Sequence, residues 1–115
     1  MSEEMDIIPQ NAAFHFESGR TIPLVKPVIN IGRQLENELV LDGPRVSRYH
    51  AQLRAVHGQY VLLDLKSSSG TFVNGKRITQ RTLNPNDVVS IGGIELTYTQ
   101  DTPVTRRDLT DTLVL

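Results

Sequence analysis

Three polar clusters in this chain carry side chains suited to chemistry: Gly32-Arg33, Arg45-Val46-Ser47-Arg48-Tyr49-His50 and Ser67-Ser68-Ser69-Gly70-Thr71. An arginine at the end of a strand is either a solvated surface charge or an anion clamp, because its guanidinium fork matches phosphate or carboxylate oxygens with two parallel hydrogen bonds. Ser47, three residues before His50, admits a hydrolase reading with serine as nucleophile and histidine as base. That reading lacks a nucleophile elbow of the Gly-x-Ser-x-Gly type and an acidic group to orient the imidazole. His50 also opens an apolar run, where a ring that ties down the loop by hydrogen bonding is the better reading. Ser67–Thr71 is either a polar turn or an anion-binding concavity of hydroxyls and successive amides. It lacks the Gly-Lys-Ser/Thr ending of a nucleotide P-loop, which disfavours ATP.

Short strands must hold these clusters. Phe14 and Phe16 alternate with His15 and Glu17, the period of a half-buried strand. Thr21–Val25 returns after a turn, and Pro23 puts this strand at an edge or at an irregular spot because proline cannot donate to a ladder. Val28–Ile31 leads to Gly32-Arg33, and a short apolar piece follows at Leu39–Leu41. His50–Val56 and Tyr60–Leu65 form a hairpin across His57-Gly58-Gln59. Asn74-Gly75, between Thr71–Val73 and Lys76–Ile78, is the dipeptide most favoured in a two-residue hairpin turn. Asn84–Asp87 turns the chain into Val88–Ile91, and Gly92-Gly93 reverses it into Ile94–Tyr98. No window sustains a helical period. Many short strands with closely spaced turns predict an all-β sandwich or barrel.

Composition narrows the function. At 115 residues, with 38% hydrophobic residues and a formal net charge of −1, the chain fits one domain. A balanced charge argues against a dedicated nucleic-acid binder, which carries excess Lys and Arg to neutralise phosphates. There is no cysteine, which excludes disulfides, thiolate catalysis and Cys-ligated zinc. His15, His50 and His57 lack metal-ligand spacing, so no metal and no cofactor are expected. No apolar run approaches the ~20 residues that cross a bilayer, and the acidic start at Met1–Asp6 is unlike a secretory signal. A cytoplasmic location is expected. Residues 1–10 are read as a loose lead-in, 11–100 as the domain, and 101–115 as a flexible Thr-rich tail.

Taken together, Gly-Arg, Ser-x-x-His and Ser-Ser-Ser-Gly-Thr-Phe-Val-Asn-Gly, each in a loop of an all-β chain, resemble the forkhead-associated (FHA) family of phosphothreonine-binding modules. Asn86–Gly92 is similar to a late strand of that family, and the likeness covers about residues 11–100. The resemblance implies an antiparallel β-sandwich of about eleven strands with a peptide site on loops at one end, and capture of a ligand without catalysis. It assigns phosphate binding to Arg33 and Ser47, with Arg48 also able to touch phosphate, and puts Arg45 at the pocket for the third residue after the phosphothreonine. Ser68 and Ser69 fall on the peptide-binding loop, and Gly32, His50, Gly70, Asn74 and Gly75 on structural positions. Ser69 stands where the family pattern has asparagine, whose amide holds the ligand main chain. A hydroxyl is shorter and makes fewer hydrogen bonds, so phosphate recognition should survive with a weaker main-chain grip. The implied partner is a phosphothreonine-bearing protein, a Ser/Thr kinase or its substrate. The chain's own Thr102, Thr105, Thr110 or Thr112, once phosphorylated, would be another ligand. The alternative is a phosphate-independent interaction or scaffold domain.

Overall fold

A computed structural model describes residues 7–101, and among them the chain is all β. Eleven strands run in order: β1 Ala13–Phe16, β2 Thr21–Pro23, β3 Val28–Gly32, β4 Leu39–Val40, β5 Ala51–Val56, β6 Gln59–Asp64, β7 Thr71–Val73, β8 Lys76–Ile78, β9 Gln80–Thr82, β10 Val88–Ile91 and β11 Ile94–Thr99. They form a six-stranded sheet, β2-β1-β11-β10-β7-β8, and a five-stranded sheet, β4-β3-β5-β6-β9. β9 follows β8 with no apolar pattern of its own and is not visible in the sequence. Pairing is antiparallel with one exception that departs from the expected antiparallel sandwich: β4 lies parallel to β3, with Ile31 opposite Leu39 and Gly32 opposite Val40. The loop at 33–38 carries the chain back to start again in the same direction, which a two-residue hairpin cannot do.

Alternation sorts each strand between core and solvent. In β5, Ala51, Leu53 and Ala55 are buried while Arg54 is exposed. Burying one face this way is what fixes register, since a one-residue slip would turn every side chain over. Between the sheets, Tyr98 meets Phe14 and Tyr60 edge-on, with ring centroids 5.9 and 6.4 Å apart. Such edge-to-face pairs suit the ring quadrupoles. The Tyr60 hydroxyl donates to the Lys26 carbonyl at 2.6 Å, and burial pushes its pKa up to about 12. The turns follow their glycines: His57-Gly58, Asn74-Gly75 and Gly92-Gly93 all have positive φ, as two-residue hairpins require. Pro23 does lie on an edge strand.

The ends of the described chain are tied to the sandwich. Ile8 packs against the core, Gly58 N–H donates to the Ile7 carbonyl, and Asp101 N–H to the Gln10 carbonyl. Of the expected lead-in, residues 7–10 are therefore held. Residues 1–6 and 102–115 lie outside the described residues, and with them Thr102, Thr105, Thr110 and Thr112.

Candidate functional site

The loops that follow β3, precede β5 and precede β7 converge at one end of the sandwich. Their meeting is enforced by backbone contact. Arg33 N–H donates to the Ser47 carbonyl at 3.0 Å, and Gln34 N–H to the Arg48 carbonyl at 3.2 Å. Gly32 makes this crossing possible without a positive φ. A Cβ at Gly32 would lie 2.2 Å from the Arg48 carbonyl oxygen and 2.9 Å from Asn37 Nδ2. Gly32, expected at a structural position, serves the close approach of a second loop. Asn37, buried and not singled out in the sequence, clamps the crossing by donating to the Gln34 and Arg48 carbonyls at 2.8 and 2.9 Å.

His50 is the second brace. It is completely buried; Nδ1 accepts the Ser47 N–H at 3.0 Å, and Nε2 bonds the Gly70 carbonyl at 2.9 Å. An Nδ1 that accepts carries no proton, so Nε2 is the donor to Gly70. One ring thereby joins the Ser47 and Gly70 loops, and neither nitrogen is left to act on the Ser47 hydroxyl. The Ser47 Oγ instead accepts the Ser68 N–H at 3.1 Å and lies 3.3 Å from the Ser68 Oγ. This geometry sets aside the nucleophile-and-base reading. Below the serines, Asp64 accepts hydrogen bonds from the Ser67 hydroxyl (2.6 Å), the Thr71 hydroxyl (2.7 Å) and the Ser67 amide (3.2 Å). Burial pushes the Asp64 carboxyl up, but these donors outweigh it and hold the group below its ordinary 3.8. Gly70, at φ +89°, turns the chain into β7, and a Cβ there would lie 3.0 Å from the Arg77 Nε.

Between the loops opens a cavity of about 300 Å³ lined by Arg33, Pro44, Arg45, Val46, Ser47, Ser68 and Ser69. Among the described residues two guanidinium-bearing residues and three serines line it, and no carboxylate does. The Arg33 Nε donates to the Val46 carbonyl at 3.1 Å, which fixes the plane of the fork. Arg45 lies against the Gly92-Gly93 turn: a Cβ on Gly93 would sit 2.4 Å from its Nη2. Ser69 donates to the Arg45 carbonyl at 2.7 Å, so its hydroxyl ties two loops together. Arg48 does not line the cavity; its carbonyl forms the loop crossing while its side chain is exposed. Asn74 and Gly75 do not line the cavity. Asn74 Nδ2 donates to Asp87 Oδ1, and its Oδ1 accepts the Val88 N–H, each at 2.9 Å, which pins the β7–β8 turn to β10. Pro44 and Val46 were not anticipated as lining. Their signal was only position, on either side of Arg45.

A family model described as the FHA domain matches residues 29–92. The chain belongs to the FHA-domain family. The FHA match runs from β3 through the Gly92 turn and so contains every loop of the cavity. Over 80 residues the chain is 38% identical to the ABC transporter ATP-binding/permease protein Rv1747 of Mycobacterium tuberculosis, covering 70% of this chain and 9% of that protein. Over 82 residues it is 42% identical to the transcriptional regulatory protein EmbR of the same organism, covering 70% of this chain and 21% of EmbR. The chain thus spans a small part of these relatives. In three dimensions it is similar to Mycobacterium tuberculosis EmbR in complex with a low-affinity phosphopeptide, at a TM-score of 0.77 and 36% identity, covering 84% of this chain and 26% of that one.

Proposed function

We propose that this FHA domain captures a phosphothreonine-bearing segment of a partner protein in the Arg33–Ser47–Ser68 cavity, and does so without chemistry on its ligand. The carrying observation is that Arg33 and Arg45 share one open cavity with the serines, and that among the described residues no carboxylate lines it. A phosphothreonine brings about −1.5 to −2 charges and three acceptor oxygens. Arg33 and Ser47 serve as phosphate donors, with the exposed Arg48 joining them once ligand is present. Arg45 and Ser68 contact the flanking peptide. Each hydrogen bond to a charged group contributes about 1.5–3 kcal/mol net, so two or three separate the phosphorylated from the bare segment by orders of magnitude. Threonine is preferred over serine if the γ-methyl packs on Pro44 and Val46, a gain of roughly 0.8 kcal/mol for one carbon.

The solved likeness to EmbR with a phosphopeptide supports the reading. The partner is a Ser/Thr kinase or its substrate in the cytoplasm, and the chain's own Thr102, Thr105, Thr110 or Thr112 is a further ligand once phosphorylated. The test is an isotope-edited NMR titration with phosphothreonine peptides of varied flanks. Shifts of the Arg33, Ser47 and Ser68 amides by the phosphorylated peptide, with none from the unmodified one, are expected. Equal shifts from both peptides would instead establish the phosphate-independent scaffold reading.

A further inference from the structure

The two lateral sides of the sandwich are unlike. On one side the edge strands β8 and β9 are joined through Thr79, whose carbonyl accepts the Asp64 N–H at 2.9 Å. On the other side the edge strands β2 and β4 line the same two cavities. They form a groove between β2 and β4, with one cavity of about 140 Å³ and an adjoining one of about 470 Å³ that share Ile22, Pro23, Glu38 and Leu39. Its floor is apolar, from Ile22, Leu24, Ile29 and Leu39. Val25, 69% exposed, and Val40, 36% exposed, stand on its walls. Lys26 and Glu38 border the smaller cavity, and Arg20 the larger one. Natural sheets cover or blunt such edges, and here Pro23 removes one donor but leaves the apolar floor open.

The chain leaves the described fold beside this groove. Asp101 is held to Gln10 and Asn11, next to the start of β1. On the far side of β1, Leu24 N–H donates to the Ala12 carbonyl. Asp101 therefore lies two strand spacings, about 10 Å, from the Leu24–Val25 wall. An extended chain covers about 3.3 Å per residue, so residues 102–109 alone reach about 26 Å. Past Asp101 the apolar residues are concentrated late, at Leu109 and Leu113-Val114-Leu115. Arg106-Arg107, Asp108 and Asp111 offer both signs of charge to Glu38, Lys26 and Arg20. A cavity of about 150 Å³ with apolar walls accepts a benzene-sized group, so the smaller cavity takes one leucine or valine side chain.

We propose that the Leu109–Leu115 segment of this chain docks in the groove between β2 and β4, seating one of its aliphatic side chains in the smaller cavity and covering the open side of the sandwich. This contact is separate from the phosphate cavity and needs no phosphorylation.

Because the chain has no cysteine, a nitroxide on Thr112→Cys is a unique probe. In the full chain the expected result is selective loss of the Ile22, Val25 and Val40 amide signals, independent of protein concentration. The signals should return when Leu113→Asp and Leu115→Asp are added, with the rest of the spectrum unchanged. Signal loss spread evenly over the surface, or confined to the Ser47 and Ser68 loops, would overturn the proposal. So would loss that arises between spin-labelled and isotope-labelled copies, since a second copy would then be the occupant.

Discussion

Gly32→Ala adds one carbon and should cost as much as a large core truncation. The new Cβ would lie 2.2 Å from the Arg48 carbonyl oxygen and 2.8 Å from its carbon, both backbone atoms with no rotamer to escape into. Relief demands that the β3 end and the 46–49 loop move apart. The bonds at that crossing are Arg33 N to Ser47 O (3.0 Å), Gln34 N to Arg48 O (3.2 Å) and Asn37 Nδ2 to Arg48 O (2.9 Å). Overpacking costs about 1–3 kcal/mol, and losing two of these bonds adds about 1 kcal/mol each. A loss of roughly 3–5 kcal/mol is a large part of the 5–15 kcal/mol that holds a domain together. At about 4–8 °C per kcal/mol for a domain of this size, the Tm should fall by at least about 12 °C. Calorimetry and urea titration would measure it. Gly19→Ala is the control: Gly19 has φ +94° but no atom within 4 Å of its Cβ position, so it carries backbone strain without a clash. A Gly32→Ala protein within about 1 kcal/mol of the parent, or a Gly19→Ala protein that loses as much, would show that the clash with the Arg48 carbonyl carries no such cost.

Three further outcomes rest on the same geometry. His50→Phe keeps an aromatic ring, though a larger one, but strands the Ser47 N–H and the buried Gly70 carbonyl, so it should destabilise by roughly 2–6 kcal/mol in urea unfolding; a smaller loss would mean that the ring acts only as filler. Asp64 has its folded pKa lowered beneath 3.8, so its contribution is complete above the ordinary value and fades as pH falls through the folded one. Asp64→Asn should therefore flatten the acid limb of the stability–pH curve, and an unchanged limb would contradict the role given to Ser67 and Thr71. Ser69→Asn should tighten phosphopeptide binding in calorimetry by adding a main-chain grip, whereas equal affinity would show that the serine's bond to the Arg45 carbonyl already does what the loop requires.

Much of the fold was legible because its turns are chemically explicit. Asn74-Gly75, Gly58 and Gly92-Gly93 mark hairpins whose positive φ few other residues tolerate, and Pro23 marks an edge. β9 escaped because Gln80-Arg81-Thr82 is polar and owes its pairing to β6, with Val61 opposite Thr82. The parallel β3–β4 pair escaped because pairing direction depends on where a loop carries the chain, which local pattern does not encode. At the site, Arg33, Ser47 and His50 could be picked out by type and spacing. What the sequence hid was the bracing: Asn37 sits in a loop with no periodic pattern, and Gly32 is needed for a contact with a residue sixteen positions away. Arg48, which the resemblance lets touch phosphate, is exposed on the same loop and lies outside the cavity lining.

Arg33, in its loop crossing, is the residue proposed to recognise a phosphorylated threonine. The most direct measurement is calorimetric titration of one peptide in phosphothreonine, phosphoserine and unmodified forms against the parent and Arg33→Ala. Binding of the phosphothreonine form, weaker binding of phosphoserine and none of the unmodified peptide are expected, all lost in an Arg33→Ala protein that keeps its thermal transition. Undiminished binding by a folded Arg33→Ala protein, or equal affinity for the unmodified peptide, would contradict that role.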